Sequence, residues 1–136
     1  MRESELQGRR ATARARRAAR GVALVAGLTT VGIGGWAFFG PASFADFAQF
    51  PPYNEHLFHD IGAFLIGLGS TLLLALVWLD GLFVALAGNA IAGVAHFVSH
   101  LIDRDLGGRG TDPITFAFLA VVVGLAALVR YRDVER

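Results

Sequence analysis

Four stretches of this chain, 21–39, 61–79, 82–102 and 113–129, stay apolar for the length needed to cross a bilayer. The 19 residues from Ile61 to Leu79 would reach about 28 Å as a helix, against a hydrocarbon core of about 30 Å. Runs of that length and apolar character read as transmembrane helices. A composition 54% hydrophobic, with 17 glycines besides, fits no water-soluble class. The expected fold is all-α, a four-transmembrane-helix up-down-up-down bundle. It forms one domain over 21–130, between a polar Arg-rich segment, 1–20, and a tail, 131–136. The first 20 residues either continue the first helix or lie loose at the surface.

Charge orients the bundle. Arg9, Arg10, Arg14, Arg16, Arg17 and Arg20 precede the first span, and Arg130, Arg132 and Arg136 follow the last. The positive-inside rule then sets both termini in the cytoplasm. The connections 40–60 and 103–112 fall outside, with Asp46, Glu55, Asp60, Asp103, Asp105 and Asp112 against only Arg104 and Arg109. A basic segment beside a membrane has anionic lipid headgroups as its partner, so nucleic acid is not expected. The first apolar run exceeds the 7 to 15 residues of a signal-peptide core and reads as a retained span. Arg to the exclusion of Lys, with abundant Ala and Gly, points to a high-GC bacterial genome. The expected location is therefore the bacterial cytoplasmic membrane, as a multi-pass protein.

Cysteine is absent, which removes disulfides, thiolate metal sites and thiol redox chemistry. No phosphate-binding loop, dinucleotide fingerprint or nucleophile elbow occurs, so the reading leans away from an enzyme. Glycines 21, 27, 32, 34 and 35 let the first span approach a neighbour closely. Between spans one and two, Ser43 to Phe50 reads as a short interfacial helix, with Ser43 and Asp46 spaced as a capping box and Pro51 ending it. Phe44, Phe47 and Phe50, with Trp36, Phe38, Phe39 and Tyr53, make an aromatic belt. Only about Asp80 and Gly81 join spans two and three, which predicts a tight antiparallel hairpin. Thr111 or Asp112 caps the fourth span, Pro113 takes its first turn, and the rest of that span reads as scaffold.

All four histidines fall at the outer ends of that hairpin: His56 and His59 open span two, His96 and His100 close span three. Asn89, His96, His100 and Asp103 share one helix face, as do His56, Asp60, Ala63, Gly67 and Ser70. Two matched polar stripes are expected to meet, since ionisable side chains in a span are costly unless paired or functional. Imidazole from His56, His96 and His100, with Glu55, Asp60 or Asp103 as oxygen ligands or orienters, suits a transition metal or haem. His59 leans away from His56 and is the least secure member. The plain alternative is that these groups only hydrogen-bond one another and fix helix register; a quinone, lipid or proton-handling site is the third reading.

The run Tyr53-Asn54-Glu55-His56-Leu57-Phe58-His59-Asp60-Ile61-Gly62-Ala63, followed by His96-Phe97-Val98-Ser99-His100, resembles a set of small uncharacterised four-helix membrane proteins of actinobacteria. In that set N-E-H-x-x-x-D-x-G-A opens the second span and H-x-x-x-H closes the third. The resemblance covers mainly residues 36 to 105 and implies that Glu55, His56, Asp60, His96 and His100 are family positions, with Arg more usual where His59 stands. The architecture is also loosely similar to DoxX-like membrane proteins, associated with quinone or redox roles. The expected function is a metal- or haem-binding, redox-accessory role. Alternatives are a structural subunit of a homo-oligomer or larger membrane complex, docking through the glycine faces of spans one and three, and a quinone, lipid or proton-handling protein.

Overall fold

The computed structural model describes residues 3–134, and they are all-helical: α1 Glu3–Phe39, α2 Pro41–Ala48, α3 Glu55–Leu74, a 3-10 turn Leu79–Gly81, α4 Leu82–Ile102 and α5 Asp112–Val134. Four of these helices are long and apolar enough to cross a membrane. The fourfold reading of the sequence holds, while its boundaries move. α1 absorbs the Arg-rich segment into one helix of 37 residues, about 55 Å long and nearly twice the thickness of a bilayer core. α3 begins at Glu55 because the side chain of Asn54 accepts the Leu57 amide at 3.2 Å, a cap that outweighs the polarity of His56, His59 and Asp60 in the first turns. It ends at Leu74, and residues 75–81 make a chain of tight turns rather than a two-residue link.

α2 lies where a short helix was expected, shifted two residues toward Pro41, which occupies its first turn. The capping box does not form. Gly40 is the N-cap, with no side-chain cap bond; the Ser43 hydroxyl donates to the Gly40 carbonyl and accepts the Trp36 indole N–H at 2.9 Å. Gln49 in the left-handed region (φ 57°) closes the helix.

The helices pack as two antiparallel pairs, α1 with α3 and α4 with α5. The first pair rests on glycine. A Cβ at Gly62 would stand 2.7 Å from the Gly34 carbonyl oxygen and from the Phe38 amide, and one at Gly69 would stand 2.7 Å from the Gly27 carbonyl oxygen and the Val31 amide. Two glycines seven residues apart on each helix therefore bring backbone against backbone at both contacts, where apolar side chains would gain nothing over lipid. In the second pair, Gly93 of α4 faces Ala120 of α5.

The pairs join at both ends. Beside the α3–α4 turn, Ala19 and Ala23 from the middle of α1 join Leu72, Ala75, Leu82, Leu86, Val123, Ala126 and Ala127 in one buried cluster, and Arg16 Nε lies 3.1 Å from the buried carboxylate of Asp133. This is called the terminal end below; the opposite, loop end carries α2 and the α4–α5 connection. There Trp36 meets Phe44 and Phe47, Phe44 meets Phe58, and Tyr53 stacks on Phe58. Phe58, 2% exposed, is the centre of this aromatic cap. The α4–α5 loop is tied on by the Gly108 amide, which donates to the Gln49 carbonyl at 2.9 Å, and by Arg109, whose guanidinium sits 4.0 Å over the Phe47 ring and donates to the Phe47 carbonyl.

The Gly62→Leu chain is expected to lose about 1–3 kcal/mol of stability through overpacking. Gly67→Leu, where nothing lies within 4 Å, should change it by less than about 0.5 kcal/mol. Thermal unfolding of the two variants in detergent makes the comparison; equal losses would mean that the glycine contact does not pair α1 with α3.

Candidate functional site

The two polar stripes do not meet. Glycine contacts draw α3 onto α1, and the α4 seam closes on α5, so the buried residues where α3 meets α4 (Leu72, Leu82 and Leu86, with Ala75 just past α3) all lie beside their connecting turn. The histidines consequently separate into two groups at the loop end. Among the described residues, no three His, Asp or Glu side chains come together as a metal would require.

On α3, His56 is 87% exposed at its side chain and forms an i,i+4 pair with Asp60, Nε2 to Oδ2 3.6 Å. His59 turns the other way and packs its ring against Phe38 of α1, 5.2 Å between centroids. Glu55 occupies the first turn of α3 and is exposed. Further along this stripe Ala63 and Gly67 are exposed and Ser70 is half-buried. Phe58 explains the arrangement: burying it under α2 turns the opposite face of α3, with His56 and Asp60, outward.

On α4, His96 and His100 are brought together. One helical turn apart, their Nε2 atoms stand 3.2 Å from each other and their rings stack at 5.0 Å. Phe116 of α5 lies flat against both, with ring centroids 3.8 Å from His96 and 5.0 Å from His100. Sequence reasoning missed Phe116 by reading the fourth span as scaffold; its position four residues after Asp112, on the same face of the helix, was the available signal. Asn89 does not take part. Its amide donates to its own helix, to the Ala85 carbonyl at 3.0 Å.

Asp103 ends α4 as its C-cap and is exposed, outside the histidine pair. Asp112, one of two residues expected to cap the fourth span, is instead the first residue of α5. Its Oδ2 accepts the Arg109 amide at 2.7 Å, folding the loop back onto the start of α5. Gly108 sits in the narrow space between: a Cβ there would be 3.2 Å from His100 Cε1 and 3.3 Å from Asp112 Oδ2. With φ at +86°, this position also favours glycine by backbone conformation. His100 is thus held by Phe116 on α5 and by the Gly108 turn, which is bonded in turn to α2.

Chemically, the pair offers two imidazoles with one short contact between them. In the free chain the contact is an N–H···N hydrogen bond with one ring as donor. The same two nitrogens, each freed of its proton, point to the kind of ligand that accepts lone pairs from adjacent donors. The exposed His56–Asp60 pair, by contrast, is loose and open to solvent, and such pairs contribute little.

Replacing Arg109 by Ala removes the ring contact and the hydrogen bond that tie the loop to α2. Hydrogen exchange should then quicken both in 103–112 and in 41–50. Faster exchange in only one of the two segments would show that the tie does not couple them.

In comparison with known proteins, the chain matches no family model, no curated protein and no solved structure.

Proposed function

We propose that this is a multi-pass protein of the bacterial cytoplasmic membrane that binds a transition metal at its extracytoplasmic end through His96 and His100. The orientation follows from the arginines at the terminal end and the acid excess at the loop end. The observation that supports the metal is the 3.2 Å separation of the two Nε2 atoms. Two metal–nitrogen bonds of about 2.05 Å to atoms that far apart would enclose roughly 100°, between the angles of octahedral and tetrahedral coordination. Imidazole donors suit zinc, copper, nickel or iron.

Only two ligands come from the pair, so water or a small molecule completes the shell and the ion stays exchangeable. That favours a carrier or redox-accessory role over a structural ion, whose four positions the protein fills. A haem can be held by one imidazole and would use only one of the two rings, so the close approach of both nitrogens favours a bare ion. Asp112, whose carboxylate and the His100 ring both border Gly108, is a carboxylate placed to orient the pair.

The test is metal content of the protein purified in mild detergent and loaded with zinc or copper. About one ion per chain is expected, lost in His96→Ala and His100→Ala but kept in His56→Ala and His59→Ala. Because a ligating imidazole must be unprotonated, acidification should release the ion. No metal above background in loaded, folded protein would overturn the proposal.

A further inference from the structure

A groove of about 850 Å³ runs along the seam of α4 and α5 at the loop end. Phe97 and Leu101 of α4 and Ile114, Phe118 and Val121 of α5 make its walls. Ile114 and Phe118 are 74% and 65% exposed, so in a bilayer the trough opens sideways onto acyl chains, not onto water. Its upper rim changes character: His100, Arg104 and the Gly107–Gly110 loop close it. Arg104 stands two residues beyond Ile102, the last residue of α4, at the depth where hydrocarbon gives way to headgroups.

The two arginines of this rim differ. Arg109 is spent on the Phe47 ring and carbonyl. Arg104 is exposed and, among the described residues, makes no hydrogen bond or ion pair. An uncommitted guanidinium above an apolar trough has the polarity of one kind of molecule turned over: an anionic head on a hydrocarbon tail.

We propose that the α4–α5 groove is a binding site for a phospholipid of the surrounding leaflet, with an acyl chain between Phe97 and Phe118 and its phosphate on Arg104. Planar guanidinium meets phosphate through paired, charge-assisted hydrogen bonds, and the groove volume lies in the range of small-molecule sites. Asp103 and Asp105 beside Arg104 work against a doubly charged head, which selects a phosphodiester over a phosphomonoester. The proposal does not depend on metal binding: His100 lines the rim of the same groove, but the phosphate is assigned to Arg104 and the acyl chain to Phe97 and Phe118.

Native mass spectrometry of the full chain in detergent reads the outcome, with phosphatidylglycerol and diacylglycerol of identical chains added separately. Phosphatidylglycerol should bind as a single retained molecule, roughly tenfold tighter than diacylglycerol. Arg104→Gln should erase that preference without changing the weak binding of diacylglycerol. Ile114→Trp, at an exposed position that tolerates bulk, should weaken both lipids by blocking the trough, with the helical signal and unfolding temperature unchanged. Equal binding of the two lipids by the native chain, or full phosphatidylglycerol affinity in Arg104→Gln, would overturn the proposal. So would release of lipid on dimerisation, which would make the groove a contact between copies. Zinc or copper loading of Arg104→Gln, expected at the native level, keeps this result separate from that of the histidine pair.

Discussion

Backbone-to-backbone contact at Gly27–Gly69 and Gly34–Gly62 decides how this chain is arranged. Within a bilayer, one apolar surface is as well solvated as another, so neighbours are chosen by how closely helices can approach. Glycine lets α1 and α3 come nearer than any other pairing would allow. Once α3 is committed to α1, its connection to α4 reduces to a tether at the terminal end. α4 is left to close on α5, with Gly93 against Ala120. The separation of the histidines into an exposed α3 pair and a stacked α4 pair is a downstream effect of those glycines.

The number and position of the spans were legible because hydropathy measures what a segment must do in lipid, segment by segment. Which helices touch was not legible in the same way. The short connection at Asp80–Gly81 makes α3 and α4 consecutive and antiparallel, and that was read as close packing along their length. The information that corrects it was present in the seven-residue spacing of Gly27 with Gly34 and of Gly62 with Gly69. Its meaning depends on two helices at once, whereas a stripe on one helix can be seen alone. The pairing of His96 with His100 was legible for that second reason, and the expected meeting of His56 with them was not a property of either helix by itself.

Local signals divided similarly. Asp112 and Pro113 at the start of α5 were readable. The Ser43–Asp46 spacing was not, because the indole of Trp36 takes the Ser43 hydroxyl from outside the helix. Phe116 escaped notice because its one signal, the helical spacing from Asp112, gains meaning only from the rings that it faces on another helix. Arg109 and Arg104 carry the same charge five residues apart, yet one is a fastener and the other is uncommitted. That difference is set by Phe47, which lies 62 residues upstream of Arg109.

α1 is unbroken from Glu3 to Phe39, and this gives the molecule a mechanical character. Its basic end is held to α5 by Arg16 and Asp133, its middle is meshed with α3, and its far end carries Trp36 into the aromatic cap. A continuous helix places these three contacts on one rod, so the Arg16–Asp133 contact, the glycine mesh with α3 and the aromatic cap that carries α2 stand at fixed distances and fixed rotations from one another.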